Sequence, residues 1–567
     1  MKYLEHKTDI CIVGGGLAGT CAAVAAARHG MKVVLMQDRP MLGGNASSEI
    51  RMWVCGAYNH NADWRETGIL EELTLENFYR NPQLNYQIWD TVIYEKAYCE
   101  ENVTLLLNTT CQKVEMDGAK IKSVTGWQMT SETYHTVEAK YFIDCSGDSV
   151  LAPLTGAEYR LGREARDEFN ESIEPETEDN HTMGLSCMFQ IREYPYKTTF
   201  VPPSWAFKFP TDDDIPNRDH ELGNNYWWIE VGGDRDSIHD TDALRHELLK
   251  ISYGVWDHCK NYSGTEYDNW SLDWIGFLPG KRESRRYVGD YIINQNDVAS
   301  AGHFDDVVTY GGWSMDDHFP EGFWFRGACP NIHYPAPTPW GIPWRALYSK
   351  NIENLLFAGR NISATHAAMS SSRVMATCAL VGQTVGTGVA MSVKSGVHPR
   401  NVDIDALRGE LMLDDCLIPY CARKVGEKTL SASTNAEVTR NGIDRQFGDE
   451  DNCWHGKEGD FIEYSFDGFV DVEKVRLIFD SNLRRKYHNM PSNYPLVEKL
   501  YKLPDSLIKE YRVEGETENG WETLFEDASN HQRLAYANIG KKVKKLRIIP
   551  LSTWGADEYR IFSVDII

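Results

Sequence analysis

The chain has 567 residues, of which 42% are hydrophobic and 25% are charged, a composition that excludes a disordered, collagen-like or membrane-embedded protein. A chain of this length is expected to form two to four domains. Its 83 acidic side chains outnumber the 58 basic ones, and the net charge of −25 predicts no nucleic-acid partner, because such a surface repels phosphate.

The N-terminal sequence and the cysteines indicate the compartment. The first apolar run, Ile10 to Val13, is too short for a signal peptide, and no later run approaches the roughly 18 apolar residues of a membrane span. The 13 cysteines include no CxxC pair, which is typical of reduced thiols. We therefore predict a cytoplasmic protein with no membrane partner, and we interpret Cys416 and Cys421 as thiols.

The N-terminal segment has the pattern of a β-α-β unit. Asp9 to Val13 predicts a buried parallel strand, which enters a turn with Gly14, Gly16 and Gly19 in G-x-G-x-x-G register. An alanine-rich helix and a second strand, Lys32 to Met36, follow. The first glycine permits the tight turn, the second lets a pyrophosphate approach the backbone, and the third lets helix and strand pack closely. The unit therefore predicts dinucleotide binding.

The end of the second strand is expected to carry the ribose contact. Dinucleotide-binding units usually have an acidic residue about 20 residues after the glycines. Gln37 occupies the position where glutamate is usual, and Asp38 follows one residue later. Either side chain could bind the ribose hydroxyls, and Asp38 would form the stronger, charge-assisted hydrogen bond.

The segment RPMLGGNASS, residues 39–48, resembles the FAD-binding signature of the glutathione-reductase-type flavoproteins. Its glycine pair follows the first β-α-β unit closely, a feature that NAD-binding Rossmann domains generally lack. The resemblance implies cofactor contacts from Arg39, Gly43, Gly44, Asn45, Ser47 and Ser48.

Three further segments agree with this resemblance. Residues 103–118 resemble the hairpin that covers adenine, and YFIDCSGD (141–148) resembles the strand and Gly-Asp element near the pyrophosphate. Residues 354–386 resemble the closing FAD motif, a strand leading into a long helix whose N-terminus points at the flavin pyrimidine ring. The resemblance assigns further cofactor contacts to Cys111, Gly147, Asp148, Gly359 and Arg360.

Together with the segment GGNASSEIRMWVCGA, the closing motif resembles the broad FAD-dependent oxidoreductase family that is often found beside polysaccharide-degrading enzymes. The resemblance covers residues 5–160 and 335–400. It implies FAD as a non-covalently bound cofactor and an oxidoreductase activity, and it is not specific for a substrate.

These patterns predict an α/β fold class: a Rossmann-like FAD-binding domain, interrupted by a mixed α+β substrate domain and followed by a C-terminal antiparallel β-sandwich. The predicted parts are the FAD-binding domain at 1–160 and 346–400, the substrate domain at 161–345, a connecting segment at 401–429 and the sandwich at 430–567. The strands after residue 430 resemble the galactose-binding-like, discoidin-type sandwich, for which interdomain support and glycan binding are both open.

The predicted substrate domain has two unusual features. Its segment Glu164 to His181 is strongly charged and predicts a solvated loop or lid. Ten of the 17 tryptophans lie between Trp205 and Trp344. Indole faces suit the apolar C–H faces of sugar rings, and large indoles also fill cores, so we expect most of the ten in a core and two or three in a pocket.

The candidates for chemistry flank the FAD motifs. His366 precedes the closing helix and is the first candidate for a base or proton relay, or it hydrogen-bonds FAD or a loop carbonyl. Arg373 could anchor substrate, balance reduced flavin or form a salt bridge. Arg51, beside Glu49, could meet the flavin from the other side or form a buried ion pair. His333 lies where the substrate domain returns to the FAD-binding domain, the expected cleft.

Two weaker candidates are His60 and Cys55. The spacing of the histidines, cysteines and aspartates predicts no metal site. No nucleophile–base arrangement of a hydrolase is evident.

The predicted function is that of an FAD-dependent oxidoreductase, which transfers a hydride between flavin N5 and a small, carbohydrate-derived substrate. One alternative is a flavin dehydrogenase or reductase of a carboxylic acid, with Arg51 and Arg373 as the carboxylate clamp. Another is a carbohydrate-binding protein in which FAD is structural. The expected partner is a small molecule, and the sequence is compatible with a homo-oligomer.

Overall fold

The structure is a computed structural model that describes residues 1–57, 63–490 and 502–567. His60 lies outside the described residues. The described chain divides into two compact units. The first contains residues 1–56, 84–404 and 488–490, and the second contains residues 57, 63–83, 405–487 and 502–567.

The elements are numbered in chain order. The helices are α1 (Leu17–Arg28), α2 (Ile69–Arg80), α3 (Tyr86–Tyr98), α4 (Leu151–Thr155), α5 (Arg166–Phe169), α6 (Thr241–Asp257), α7 (Gln295–Ala299), α8 (His366–Ser372), α9 (Met375–Ser395), α10 (Ile404–Leu413) and α11 (Glu427–Ser431). The strands are β1 (Lys2–Val13), β2 (Val33–Met36), β3 (Val103–Leu106), β4 (Thr109–Asp117), β5 (Lys120–Gln128), β6 (Thr133–Asp144), β7 (Tyr159–Arg160), β8 (Leu185–Ser186), β9 (Phe189–Glu193), β10 (Glu230–Val231), β11 (Trp270–Ile275), β12 (Gly280–Lys281), β13 (Arg286–Tyr287), β14 (Val307–Gly311), β15 (Met315–His318), β16 (Asn331–Tyr334), β17 (Trp340–Pro343), β18 (Leu355–Phe357), β19 (Ser433–Thr434), β20 (Trp454–Gly456), β21 (Ile462–Phe479), β22 (Ile508–Thr517), β23 (Gly520–Asp527), β24 (Leu534–Thr553) and β25 (Tyr559–Ile566).

The first unit is organised by a mixed sheet with the order β3-β2-β1-β6-β5-β4, in which β18 also pairs with β6. The pairs β2–β3, β1–β2, β1–β6 and β6–β18 are parallel, whereas β5 is antiparallel to both β4 and β6. The end of β1 and all of β2 are buried on both faces, as apolar strands of a parallel sheet are expected to be. The predicted N-terminal β-α-β unit and the α/β fold class are therefore confirmed in this unit.

Helices α1 and α9 pack closely because small residues line their contact. A Cβ on Gly382 would lie 2.1 Å from the carbonyl oxygen of Ala18, and a Cβ on Gly386 would lie 2.3 Å from that of Ala22. The two glycines are four residues apart and so lie on one face of α9. α9 is long and apolar enough to cross a membrane, but 89% of its apolar window is buried inside the protein, as in a core helix.

The region between the FAD motifs has its own hydrophobic core around α6. Trp228, Trp256 and Trp270 belong to this core, and Trp340 and Trp344 are also buried, whereas Trp205 is exposed. Five of the ten tryptophans between Trp205 and Trp344 are therefore buried in the interior.

The charged segment from Glu164 to His181 differs from the prediction of a solvated loop or lid. Glu164, Glu171 and Glu174 are all buried, with no more than 3% of each residue exposed. They are buried because their carboxylates accept hydrogen bonds around the start of α8, a use that the local charge pattern does not reveal.

The second unit contains an antiparallel sheet with the order β20-β25-β21-β24-β22-β23, and β19 pairs with β21. Four charged side chains of this unit close a ring of ion pairs, in which Arg423 and Arg476 each pair with both Asp444 and Asp565. The C-terminal antiparallel sheet is thus confirmed, and the discoidin-type assignment stays a prediction. Helix α2 also belongs to this unit, although it comes from the part of the chain assigned to the FAD-binding domain.

The close contact of α1 and α9 predicts that Gly386→Ala destabilises the first unit by about 1–3 kcal/mol, because the added methyl group overlaps a backbone carbonyl that cannot move aside. Thermal unfolding of the full chain measures the effect. Gly409→Ala in α10 is the matched control, since a Cβ there meets nothing within 4 Å and alanine favours a helix. Equal unfolding temperatures for the two variants would contradict the proposed contact.

Candidate active site

A cavity of about 360 Å³ lies in the first unit, at the carboxyl ends of β1 and β2. Its glycine-rich wall is made by two chain segments in backbone contact. The amide of Gly43 donates to the carbonyl of Gly15 over 2.8 Å, and Gly16 and Gly43 form a parallel bridge. Gly44 approaches so closely that its Cβ would lie 3.2 Å from the Cα of Gly16. The two predicted glycine motifs therefore form one surface.

The glycines of the first motif serve different purposes. A Cβ on Gly19 would lie 1.8 Å from the carbonyl oxygen of Gly14, so this glycine permits close packing of α1 and does not line the cavity. Gly14 has a φ of +104° in the turn. Gly16 lines the cavity, and a Cβ there would meet only the Cα of Gly44, at 3.9 Å. This open backbone is what the close approach of a pyrophosphate requires.

The two residues at the end of β2 for which a ribose contact is predicted, Gln37 and Asp38, have different surroundings. The buried Gln37 side chain accepts the Gly15 amide hydrogen at 2.7 Å and donates to the carbonyl of Met41 at 3.1 Å. It therefore holds the glycine turn in place. Asp38 and Arg39 also line the cavity, and the half-exposed carboxylate of Asp38 is the acidic group at this position.

The Gly-Asp element after β6 meets the residues that follow β18. Asp148 accepts hydrogen bonds from Lys281 and Arg360, each at 2.8 Å, and from Ser284 at 2.7 Å. Burial opposes its ionisation, but Arg360 and Lys281 outweigh burial and lower the pKa of Asp148 to about 2. Two fixed cations thus face one carboxylate at the cavity wall, an arrangement with the net positive charge that a pyrophosphate needs.

The chemistry of this wall fits a dinucleotide. The Nε atom of Arg360 is buried and has no hydrogen-bond partner among the described residues, so it is a donor that a bound group could satisfy. The predicted cofactor residues that line the cavity are Gly14, Gly16, Gln37, Asp38, Arg39, Gly43, Gly44, Asn45, Cys111, Gly147, Asp148, Gly359 and Arg360. Ser47 and Ser48 do not line it: the Ser47 hydroxyl donates to the carbonyl of Gly44, and the Ser48 amide donates to Asp90.

The predicted closing motif is divided into two helices. Strand β18 is followed by α8 and then, after Arg373 and Val374, by α9. Arg373, Val374 and Met375 line the cavity, so the N-terminal end that faces it belongs to α9.

The N-terminus of α8 is already occupied by carboxylates. Glu164 accepts the amide hydrogen of His366 and Glu174 that of Ala367, both at 2.8 Å. Glu171 accepts the hydroxyl hydrogen of Thr365, the N-cap residue, at 2.6 Å. The positive end of this short helix is thus neutralised by the protein itself.

His366 lies behind the cavity wall instead of lining it. Its Nδ1 lies 2.9 Å from a carboxylate oxygen of Glu283, and its Nε2 lies 3.0 Å from one of Asp317. Burial disfavours the charged ring, yet these two carboxylates outweigh burial and raise the pKa of His366 well above its ordinary value. The His366 ring is therefore a buried cation with a carboxylate beside each of its nitrogens. It lies away from the cavity lining, where the predicted base would have to be.

Arg373 reaches the cavity and also forms a salt bridge. One of its terminal nitrogens lies 3.2 Å from a carboxylate oxygen of Asp316, which lines the cavity as well. The Nε atom of Arg373 is buried without a hydrogen-bond partner among the described residues. Burial disfavours the charged Asp316 carboxylate, but His318 and Arg373 outweigh it and hold the pKa of Asp316 far below its usual range.

The other two predicted catalytic residues do not line the cavity. Arg51 donates to Gln190 at 2.6 Å, and its guanidinium lies over the rings of Trp274 and Tyr86. His333 is half-exposed and bonds to neighbouring polar side chains, among them Ser314 at 2.9 Å. Neither position matches the flavin or cleft contact that was predicted.

Several lining residues were missed by the sequence reasoning. Lys281 and Arg282 follow Pro279-Gly280, and Asp316 lies on β15. The basic run KRESRR in a strongly acidic chain was a signal for the first two. Of the ten clustered tryptophans, Trp227 and Trp313 line the cavity.

The parallel strands of the mixed sheet, the two joined glycine motifs and the cationic wall define a dinucleotide-binding site. The family model described as FAD dependent oxidoreductase matches residues 9–411. The chain therefore belongs to this family, and FAD is its cofactor.

Similarity to individual proteins is local. Over 61 residues the chain is 43% identical to a digoxin reductase of Eggerthella lenta, a match that covers 11% of this chain and 10% of the relative. Over 121 residues it is 26% identical to a vinyl phenol reductase of Lactiplantibacillus plantarum, covering 21% and 23%. The chain thus spans less than a quarter of the length of either curated relative.

Solved structures resemble the chain only weakly. A geranylgeranyl bacteriochlorophyll reductase-like protein from Thermoplasma acidophilum is 11% identical, with a TM-score of 0.33, and the match covers 73% of this chain and 84% of that one. A family 32 carbohydrate-binding module from Streptococcus pneumoniae EndoD is 13% identical, with a TM-score of 0.18, over 26% of this chain and 90% of that one.

The open backbone at Gly16 predicts that Gly16→Ala weakens FAD binding by more than about 10-fold, because the added methyl group occupies space that the pyrophosphate needs. The cofactor-free protein should keep its unfolding temperature, since the methyl group meets no atom closer than 3.9 Å. Fluorescence titration with FAD and thermal unfolding measure the two effects. Gly426→Ala, where a Cβ meets nothing within 4 Å, is the control.

The crowded carboxylates at α8 predict a pH effect. Burial and the neighbouring Glu171 and Glu164 carboxylates, against the attraction of His366, raise the pKa of Glu174 to about 7, above that of an ordinary glutamate. Since the folded protein holds this proton more tightly than the unfolded chain does, Glu174 removes stability as the pH rises from about 4.5 to 7, by up to about 3 kcal/mol.

The difference between the unfolding temperature of Glu174→Gln and that of the wild type should therefore be more favourable to Glu174→Gln at pH 8 than at pH 5. Thermal unfolding at the two pH values tests this. Glu176→Gln in the same segment is the control, because Glu176 is exposed. Parallel pH profiles for the wild type and Glu174→Gln would rule out the proposed titration.

Proposed function

We propose that this oxidoreductase transfers a hydride between flavin and a small, polyhydroxylated, carbohydrate-derived substrate. The observation that carries the proposal is the composition of this one cavity. Its lining includes both glycine motifs and, from a distant part of the chain, Trp227, Trp313, Asp316 and Arg373. The proposed cofactor-binding and substrate-binding groups therefore line the same cavity, which supports hydride transfer between the two.

The cofactor-holding residues would act through backbone and charge. The open backbone of Gly16, Gly43 and Gly44 would admit the pyrophosphate, and Lys281 and Arg360 would balance its charge. The N-terminal end of α9 would favour negative charge on the flavin ring. When bound, FAD supplies a two-electron hydride acceptor or donor.

The substrate-facing residues suit a ring with several hydroxyl groups. The indole faces of Trp227 and Trp313 would cover its C–H groups. The Nε1 atom of Trp313 and the Nε atom of Arg373 are buried donors without partners among the described residues, so both can donate to substrate hydroxyls. Asp316, held ionised by His318 and Arg373, accepts hydrogen bonds and can orient the reacting hydroxyl.

The carboxylic-acid alternative has one observation in its favour. Two of the arginines that line the cavity, Arg282 and Arg373, are not among the predicted cofactor residues. However, Arg282 pairs with Glu230, and Arg373 pairs with Asp316. Because both positive charges are already balanced, an uncharged hydroxylated ligand fits the cavity better than a carboxylate does. The relatives named digoxin reductase and vinyl phenol reductase favour the reductive direction for this chain as well.

The test is anaerobic reduction of the bound flavin by a panel of sugars, uronates and carboxylic acids, together with oxidation of reduced enzyme by their keto and unsaturated counterparts. Asp316→Asn should lower the rate constant with the best sugar by about 10- to 100-fold, because a charged hydrogen bond is weakened. Trp313→Phe should raise KM several-fold, because it keeps the ring but loses the donor. FAD content checks that each variant folds.

Trp205→Phe is the matched control, since Trp205 is 49% exposed and does not line the cavity. If the flavin reacts with carboxylic acids and with no sugar, the carboxylic-acid alternative replaces the proposal of a carbohydrate-derived substrate. Flavin that stays in its starting redox state with every compound would favour a structural FAD and refute the proposal.

A further inference from the structure

Three potential metal ligands converge outside the cavity lining. Asp212 lies in a short turn, His220 in the segment that follows, and His258 at the end of α6. The two imidazole Nε2 atoms are 3.2 Å apart. One carboxylate oxygen of Asp212 lies 3.2 Å from Nε2 of His258 and 3.6 Å from Nε2 of His220.

Backbone contacts determine which nitrogen of each ring carries its proton. Nδ1 of His258 lies 2.6 Å from the carbonyl oxygen of Phe209, and Nδ1 of His220 lies 2.6 Å from that of Arg218. A carbonyl oxygen only accepts, so each Nδ1 must be the donor. In a neutral ring the Nε2 atom then bears a lone pair. The two lone pairs and the carboxylate oxygen therefore point into the same small space.

Three hydrogen-bond acceptor atoms that lie this close together, with no hydrogen atom between them, require a cation among them. Ligand atoms bound about 2.0–2.1 Å from a tetrahedral Zn²⁺ lie about 3.3 Å from one another. The three separations of 3.2, 3.2 and 3.6 Å fit this spacing. Metal-binding histidines also usually donate their other ring N–H to a carbonyl or carboxylate, as both rings do here. We propose that Asp212, His220 and His258 bind one divalent transition-metal ion of the zinc type.

The surroundings favour this class of ion. Two imidazoles and one carboxylate are typical ligands of zinc, whereas calcium and magnesium prefer oxygen ligands alone. His258 follows α6 directly and begins a single π-helical turn, His258–Tyr262, and the C-terminus of a helix attracts a cation. Asp212 is exposed, which leaves room for water in the fourth position.

The ion would tie a cavity-forming segment to α6. The chain runs from Asp212 through His220 to Trp227, whose half-buried ring lines the cavity and whose carbonyl accepts from Arg282. The indole of Trp228 donates to the carbonyl of Asp219, beside the proposed ligand. Metal binding thus stabilises the segment that carries Trp227, and its role is structural.

The test uses the full-length protein with its FAD. After dialysis against a chelator and then buffer, zinc chloride titration by calorimetry should show one saturable site per chain, and elemental analysis should find one zinc after reloading. Zinc should also raise the unfolding temperature. Cobalt chloride should give the intense d–d absorption of a four-coordinate site, read as a difference spectrum against the flavin bands.

Asp212→Asn is the informative variant, because the side chain is exposed and its loss should not prevent folding. We expect its zinc affinity to fall by more than about 100-fold, a larger loss than is typical when a residue that only supports a ligand is replaced. Zinc should then no longer raise the unfolding temperature. Asp213→Asn, at an exposed neighbour, should bind zinc as the wild type does.

Two results would overturn the proposal. A wild-type titration without saturable uptake would mean that a shared proton, and not a metal, joins the two rings. Equal zinc affinity in the wild type and Asp212→Asn would place the bound zinc elsewhere on the chain.

Discussion

The close approach of backbone to backbone is the constraint on which the first unit depends. The turn after β1 contacts the segment around Gly43, and α9 lies against α1 through Gly382 and Gly386. At Gly44, Gly382 and Gly386 an added Cβ atom would crowd a Cα atom or a carbonyl oxygen of the facing segment. These contacts bring the first and the last parts of the FAD motif to one cavity, although more than 300 residues separate them in the chain.

Behind this cavity the protein buries more carboxylates than cations. Glu164, Glu283 and Asp317 surround Arg286 and His366, and two further glutamates bond near the start of α8. The positive end of the helix offsets part of this excess. Burial, together with the remaining excess of carboxylates, raises the pKa of Glu174 to about 7, so the cluster holds a proton more readily than an ordinary carboxylate does. Buried networks of this kind impose a single arrangement on the groups they contain.

The cavity and the proposed metal site meet in one stretch of chain. Trp227 lines the cavity, and His220 lies seven residues before it. Arg282 donates to the carbonyl of Trp227 and also lines the cavity. The position of Trp227 in the cavity wall is therefore set by Arg282 on one side and by the segment with the proposed metal ligands on the other.

The sequence by itself determined the features that depend on neighbouring residues. Strand alternation, the Gly14-to-Gly19 register and the glycine pair at Gly43 are local patterns; the first two predicted the β-α-β unit and dinucleotide binding, and the resemblance of these and later segments to known flavoproteins implied FAD. The same local patterns predicted His366 as a base, a proton relay or a hydrogen-bond partner of FAD or a loop carbonyl, Glu164 to His181 as a solvated loop or lid, and no metal site. Only the tertiary structure buried His366 between carboxylates, brought those glutamates to α8, and joined Asp212, His220 and His258. Each of these depends on side chains far apart in the chain, for which burial and pairing, and not local propensity, decide protonation and role.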